Sequence, residues 1–254
     1  MGALYRVGSR LFEAGFAAFG IDLRSIGHEN IPAEGPAVLA INHVGYLDFA
    51  LAALAPPRPR REVRYLARRD FFEKPITGRL LYSIRQIPVD VHGDPRQAAE
   101  VAQAALEAGD IVGIHPEGTI SPSFVPRRGK SGAVRLADSA QAPIVPVGIW
   151  GSQRLLTKGR PARPSRGVVV LVRYGEPFRP SGRTGMARTK ELMTRIDALV
   201  QRNQLEYPQR PVPGDDWWLP AHLGGSAPTP EEAELALAAQ EEERRTRRRS
   251  ELGG

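Results

Sequence analysis

The chain has no cysteine among its 254 residues, so no disulfide framework staples it and export to an oxidising compartment is not indicated. No uninterrupted apolar stretch approaches the roughly 20 residues that a membrane-spanning helix needs. The N-terminus lacks an apolar core followed by a small-residue cleavage site, and the expected location is therefore the cytoplasm. No clustered set of metal ligands is visible. The excess positive charge is not interleaved with the aromatics and glycines of single-strand binders, which argues against nucleic acid as a partner.

What the chain does have is length for one sizeable core and a basic surface. A sequence of 254 residues suits a single α/β domain. The formal net charge is +7, and because residues 231–254 carry seven acidic against five basic side chains, the preceding part is more basic still. Such a field attracts anionic lipid headgroups, phosphorylated substrates or nucleic acid without distinguishing among them. Arg58, Arg60, Arg61, Arg64, Arg68 and Arg69 form the densest cluster, readable as a docking site or as a solvated basic face.

Short apolar runs alternate with amphipathic ones. Strands are expected at Ala37–Ile41, Val63–Ala67, Ile87–Val91, Ile111–Ile114 and Ile144–Ile149, with an edge strand at Gly167–Tyr174. Helices are expected at Leu4–Ile21, Phe49–Ala55, Asp70–Ile84, Ala98–Ala108 after an Asp94-Pro95 cap, Ser131–Ala140 and Arg188–Gln201. This rhythm predicts an α/β fold, a largely parallel central sheet covered by helices on both faces, with an N-terminal amphipathic helix. The domain plan is an N-terminal helix in 1–26, a catalytic-type domain in 27–206, and a linker with a charged, mobile tail in 207–254.

Two stretches carry chemistry. In Asn42-His43-Val44-Gly45-Tyr46-Leu47-Asp48, the histidine falls in the turn beyond a buried strand and the aspartate in the first turn of the next helix. One ring nitrogen of His43 could face a substrate while the Asp48 carboxylate holds the other, which describes a general base. The same spacing also describes a capped helix start. The second stretch, His115-Pro116-Glu117-Gly118-Thr119-Ile120-Ser121, follows the strand at Ile111. Ligands in open parallel sheets collect outside the carboxyl ends of the strands, so the two stretches could share a crevice. There the Gly118 and Thr119 amides could bind an anion, and Glu117 could accept a bond from a hydroxyl or from its own turn.

Together these residues resemble the glycerolipid (PlsC-like) acyltransferase family typified by bacterial 1-acylglycerol-3-phosphate acyltransferase. The likeness covers roughly Gly27 to Phe178 and presents four blocks in the family's order: Asn42-His43 with Asp48, the Ile87–Asp90 strand, Pro116-Glu117-Gly118-Thr119, and Val145-Pro146-Val147. Lys130-Ser131-Gly132, with Arg135-Leu136-Ala137, is similar to the segment between the third and fourth blocks.

The resemblance implies direct acyl transfer from acyl-CoA or acyl carrier protein, as co-substrate, to the hydroxyl of a lysophospholipid. It implies no separate cofactor and no metal. His43, oriented by Asp48, would be the base; Asn42, Val44 and Gly45, with the amides on to Leu47, would serve the oxyanion and donor side. The absence of cysteine independently excludes a cysteine acyl-enzyme. Acceptor binding falls to Glu117, Gly118, Thr119, Lys130, Arg85 and Arg128, because Val91 and Ile120 stand where the family carries phosphate-gripping arginines. Either replacement charge comes from Arg85, His92, Arg127, Arg128 or Lys130, or the acceptor has a larger headgroup. A non-catalytic basic lipid-binding module is the other class of reading.

Long-chain substrates are met at a bilayer, so a peripheral or monotopic place on the cytoplasmic side of the cell membrane is expected. The Leu4–Ile21 helix, the apolar side of Asp70–Ile84 and the arginine cluster would dock there. Packing of that first helix on the domain's own core is the competing reading. Further on, Trp217 and Trp218 would anchor the proline-rich segment Pro208–Pro230, and Glu231–Arg249 could form a helix.

Overall fold

The computed structural model describes residues 3–57, 61–90, 95–161 and 165–252. Arg58 and Arg60 of the arginine cluster, Val91, His92 and the Asp94 cap lie outside the described residues. In chain order the elements are α1 (Ala3–Ala18), β1 (Asp22–Ile26), β2 (Ala37–Ile41), α2 (Asp48–Leu54), β3 (Val63–Arg68), α3 (Arg69–Phe72), α4 (Pro75–Ser83), β4 (Ile87–Val89), α5 (Pro95–Glu107), β5 (Ile111–Ile114), α6 (Gly132–Ser139), β6 (Ile144–Trp150), β7 (Val169–Tyr174), α7 (Gly185–Leu205) and α8 (Pro230–Leu252).

Seven strands among the described residues form one sheet in the order β1-β7-β6-β2-β5-β3-β4. From β6 to β4 every neighbouring pair is parallel, while β7 runs antiparallel to β6 and parallel to β1. Helices cover both faces, with α5, α6 and α7 packed in series and α1 packed on α2 and α4. β2 and β6 are buried along their whole length, as continuous apolar strands in the middle of a covered sheet must be. The parallel α/β expectation is thus met.

Four details depart from the sequence reading. The stretch expected as one helix over Asp70–Ile84 is broken into α3 and α4. Pro75 forces the preceding Lys74 into an extended conformation, with φ −78 and ψ 132, and itself opens α4 at its first position. β7 is not an edge strand, because β1 pairs along its outer side. The segment Asp22-Leu23-Arg24-Ser25-Ile26 has no apolar run and only half-buries alternate residues, so nothing in its composition marks it as a strand.

The third departure lies only at the start of α8, expected to be mobile, since anchoring of the segment that carries Trp217 and Trp218 agrees with the sequence reading. Residues 207–229 are anchored on the core: Tyr207, Trp218 and Ala227 all belong to it. Gln153 Nε2 donates to the Trp218 carbonyl at 3.2 Å, and the Arg154 guanidinium stacks on the Trp218 ring at 4.5 Å. α8 opens with a capping box in which Thr229 N–H donates to Glu232 and Glu232 N–H to the Thr229 hydroxyl. Ala233 is buried, and Arg127 grips Glu234 with two bonds of 2.7 and 2.9 Å. The start of α8 is therefore fixed to the domain.

The fourth concerns the basic cluster. Arg61 donates to the carbonyls of Pro32, Gly35 and Gly109, Arg64 pairs with Asp110, and Arg68 pairs with Asp70. Among the described residues of the cluster, these three arginines are tied to neighbouring groups. α1 packs on the domain, as one of its two readings expects. Tyr5, Phe12 and Phe16 face the core, and Gly8 lies so close to Ile84 that a Cβ would come within 2.6 Å of it. Val7, Leu11 and Phe19 stay exposed on the other side. No helix among the described residues is long and apolar enough to cross a membrane.

Candidate active site

β2 lies between β6 and β5, all three parallel, so the residues following their carboxyl ends converge on one edge of the sheet. His43 follows β2, His115 and Glu117 follow β5, and Ser152 follows β6. The two stretches singled out in the sequence thus meet at the same end of the sheet.

His43 Nδ1 lies 2.9 Å from Asp48 Oδ2. The same oxygen accepts the amides of Val44 and Gly45, each at 2.8 Å, and Oδ1 accepts the Ser152 hydroxyl at 2.6 Å. Because Oδ2 already receives two backbone N–H groups, it acts as an acceptor, and the proton of the His43 pair sits on Nδ1. Nε2 then carries the lone pair. Asp48 is wholly buried, whereas the His43 side chain keeps 20% of its surface exposed. A buried carboxylate with four donors is fully satisfied, so the ring it holds has little freedom to turn.

The backbone of His43 is fixed as well. Its N–H donates to Glu117 Oε1 at 2.8 Å, and its carbonyl accepts from Ser121 N at 2.8 Å. Glu117 Oε2 accepts from Arg127 N at 3.0 Å, so one buried carboxyl ties the loop after β2 to both ends of the loop after β5. Burial raises the Glu117 pKa to about 8, against the lowering effect of those two amides. Thr157 adds a bond from its hydroxyl to the Val44 carbonyl at 2.7 Å. Gly45 packs closely where it stands, since a Cβ would lie 3.0 Å from the Ser152 and Leu156 carbonyls.

The ring of His115 stacks on that of His43, with centroids 4.0 Å apart and planes 16° from parallel. Its Nδ1 lies 3.1 Å from the Ile41 carbonyl and 3.2 Å from that of Asn42. Burial, and secondarily the neighbouring His43, push the His115 pKa down to about 3. An imidazole held through one ring nitrogen by a buried carboxylate is chemically able to accept a proton on the other.

Against known proteins, the family model described as Acyltransferase matches residues 22–150, just over half of the chain. The chain belongs to the Acyltransferase family. This acyltransferase is 29% identical over 177 residues to the 1-acyl-sn-glycerol-3-phosphate acyltransferase of Bacillus subtilis, covering 68% of this chain and 82% of the relative. It is 25% identical over 151 residues to a chloroplastic 1-acyl-sn-glycerol-3-phosphate acyltransferase of Brassica napus, covering 58% of this chain and 42% of that one. The fold is similar to that of the crystal structure of the 1-acyl-sn-glycerophosphate (LPA) acyltransferase PlsC from Thermotoga maritima. That match has a TM-score of 0.67 and 20% identity, and it covers 81% of each chain.

Several residues expected at the site of this acyltransferase stand elsewhere or are otherwise engaged. Arg85, with φ 56, precedes β4 and pairs with Glu62 before β3 and Asp110 before β5. It therefore sits at the amino ends of the strands, away from His43. The Val44 and Gly45 amides are committed to Asp48 and that of Tyr46 to the Leu156 carbonyl at 2.9 Å, so they do not face an oxyanion. Asn42 is buried and exchanges two side-chain bonds with the backbone of Ile149 in β6, at 2.7 and 3.0 Å. Glu117 serves its turn instead of a ligand hydroxyl. The Gly118 amide donates to the His115 carbonyl at 3.0 Å.

Three expected groups remain open to a ligand. Gly118 has φ +70, and the Lys130 ammonium lies 3.1 Å from where its Cβ would be, so that glycine makes room for the lysine. Lys130 is exposed and, among the described residues, has no carboxylate partner. Thr119, which follows Gly118 in the chain, is partly exposed. Arg128 is exposed near Glu234, whose carboxylate its charge stabilises, and Arg127 is already paired with that glutamate. Ile120 is buried, so no charge is offered there.

Sequence reasoning missed Ser152, Thr157 and the placement of His115. Ser152 and Thr157 lie in a loop with no marked composition. His115 was visible only as a neighbour of the Glu117 turn.

Proposed function

We propose that this acyltransferase moves a fatty acyl chain from acyl-CoA or acyl carrier protein to the free hydroxyl of a lysophospholipid, 1-acylglycerol-3-phosphate in the first place, giving phosphatidic acid. The observation that carries this reading is the His43–Asp48 pair, with Nδ1 and Oδ2 at 2.9 Å on a ring that keeps 20% of its side-chain surface exposed. The likeness to 1-acyl-sn-glycerol-3-phosphate acyltransferases of Bacillus subtilis and Brassica napus supports the choice of acceptor. His43 Nε2 takes the hydroxyl proton as the acceptor oxygen forms its bond to the thioester carbonyl carbon. When the carbon–sulfur bond breaks, the imidazolium returns the proton to the leaving thiolate. Asp48 holds the ring and stabilises its charge. Lys130 and Thr119 bind the acceptor's phosphate, in place of a cation at Ile120.

The enzyme works at a membrane surface on its cytoplasmic side. Val7 and Leu11 of α1, with Phe19 just beyond its end, and Ile76 and Tyr82 of α4 are exposed on or beside two helices that pack together, which supports peripheral docking. The buried Ile120 favours a second reading in which the acceptor is a lysophospholipid with a larger headgroup.

A thiol-release assay with acyl-CoA or acyl carrier protein and a panel of lysolipids tests both readings. Turnover is expected with 1-acylglycerol-3-phosphate and its loss in His43→Ala and Asp48→Asn. Turnover with another lysophospholipid alone would move the assignment to that acceptor. Absence of turnover with every acceptor and both donors would leave a lipid-binding module.

A further inference from the structure

His115 packs directly on the base, and the transfer proposed above gives it no task. Its ring is near-parallel to that of His43 at 4.0 Å and, on the β3 side, to that of Tyr65 at 6.2 Å and 22°. Tyr65 in turn lies over Gly113, where a Cβ would come within 2.2 Å of its ring, so the placement of this aromatic row depends on that glycine. Both neighbours of His115 Nδ1 are backbone carbonyls, those of Ile41 and Asn42. Carbonyls only accept, so Nδ1 carries the proton and donates.

The ring is neutral, since burial and the adjacent His43 both disfavour its charge. That matters at this distance. A second imidazolium stacked on His43 would oppose proton uptake by the base, whereas a neutral aromatic face accommodates a neighbouring cation. We propose that His115 is a positioning residue for acyl transfer: its flat face and its bonds to the carbonyls of Ile41 and Asn42 hold the His43 imidazole so that Nδ1 meets Asp48 and Nε2 meets the acceptor hydroxyl. The proposal rests on the reading of His43 as the base. His115 itself does not touch the reacting atoms.

The two kinds of contact can be separated. Phenylalanine keeps the flat face and loses the carbonyl bonds, while asparagine keeps a donor and loses the face. The experiment compares the purified full-length chain with its His43→Ala, His115→Ala, His115→Phe and His115→Asn variants. Steady-state kinetics are read by thiol release from acyl-CoA with 1-acylglycerol-3-phosphate, or with whichever lysophospholipid the wild type turns over, and thermal melts monitor folding.

Activity in His43→Ala would overturn the base itself. With that variant inactive, His115→Ala is expected to lower kcat by about 10- to 100-fold while leaving KM within about twofold, as a small misplacement of a reacting group does. Recovery by His115→Phe assigns the effect to the ring face, and recovery by His115→Asn assigns it to the carbonyl bonds. A folded His115→Ala protein with wild-type kcat, or one changed only in KM, overturns the proposal while leaving the base in place. If His115→Ala does not fold, the Phe and Asn variants decide: wild-type kcat in both overturns it.

Discussion

The Ser152 hydroxyl lies 2.6 Å from Asp48 Oδ1, and both side chains are wholly buried. Through this bond the loop after β6 reaches the carboxylate that holds His43. β6, the strand that carries the fourth sequence block, thus leads into a residue that supports the His43–Asp48 pair from the opposite neighbour of β2.

Ser152→Ala leaves Oδ1 without a donor inside the protein, at a cost of about 1–3 kcal/mol. Asp48 keeps its other three bonds, so the fold survives, while the aspartate becomes freer to turn away from His43. We expect kcat to fall by about tenfold or more with little change in KM. Equal kcat for Ser152→Ala and wild type would show that the bond does not constrain the base.

Glu117 makes stability depend on pH. Its carboxyl titrates near 4.5 when the chain is unfolded and at about 8 in the fold. Between those values the folded state holds a proton that the unfolded state has released. Stability is therefore greatest below about pH 4.5 as far as this group goes, and declines as pH rises towards 8, by up to about 1.4 kcal/mol per pH unit. Glu117→Gln cannot titrate, and it also sets an amide NH2 against one of the two backbone donors. Urea melts from pH 5 to 8 should show a lower absolute stability for this variant and the loss of that decline. Parallel pH profiles for the two proteins would refute the assignment.

Lys130→Met tests the anion site. A charge-assisted bond contributes about 1.5–3 kcal/mol, so KM for 1-acylglycerol-3-phosphate should rise by about 10- to 100-fold with a smaller change in kcat. An uncharged monoacylglycerol offered as acceptor should be insensitive to the substitution. If the two acceptors respond alike, the lysine does not read the phosphate.

Membrane docking can be removed without touching the crevice. Leu11 and Ile76 are 63% and 85% exposed, so Leu11→Asp with Ile76→Asp should leave the melting temperature close to wild type. Each large apolar side chain contributes about 1.5–3 kcal/mol when fully buried, so recovery with anionic phospholipid vesicles should fall by at least about tenfold. Unchanged co-sedimentation would send the docking surface elsewhere.

Much of this was legible in the residues themselves. The buried runs at Ala37–Ile41 and Ile144–Ile149 announce central parallel strands, because only a strand covered on both faces is apolar at every position. β1 was not legible, since Asp22–Ile26 pairs through its backbone and shows no apolar pattern. The His43–Asp48 spacing could be read because it is local. Whether a basic side chain sits at the same end of the sheet as His43 could not. Arg85 and Lys130 look alike in the chain, yet one precedes a strand and the other lies in the loop beyond one. The direction of the Glu117 carboxyl and the partners of the Val44 and Gly45 amides likewise arise only when distant loops meet.

His43 and Asp48 are five residues apart, whereas Glu117 lies 74 residues from His43 and Ser152 lies 104 from Asp48. In folding terms the pair is cheap to form and its supports are late, because each needs a long loop to close before it yields a bond. A half-assembled chain can bring the two side chains together but cannot hold them. During refolding, recovery of acyl transfer should trail recovery of helix, which makes enzymatic activity a clock for the docking of β5 and β6 on either side of β2.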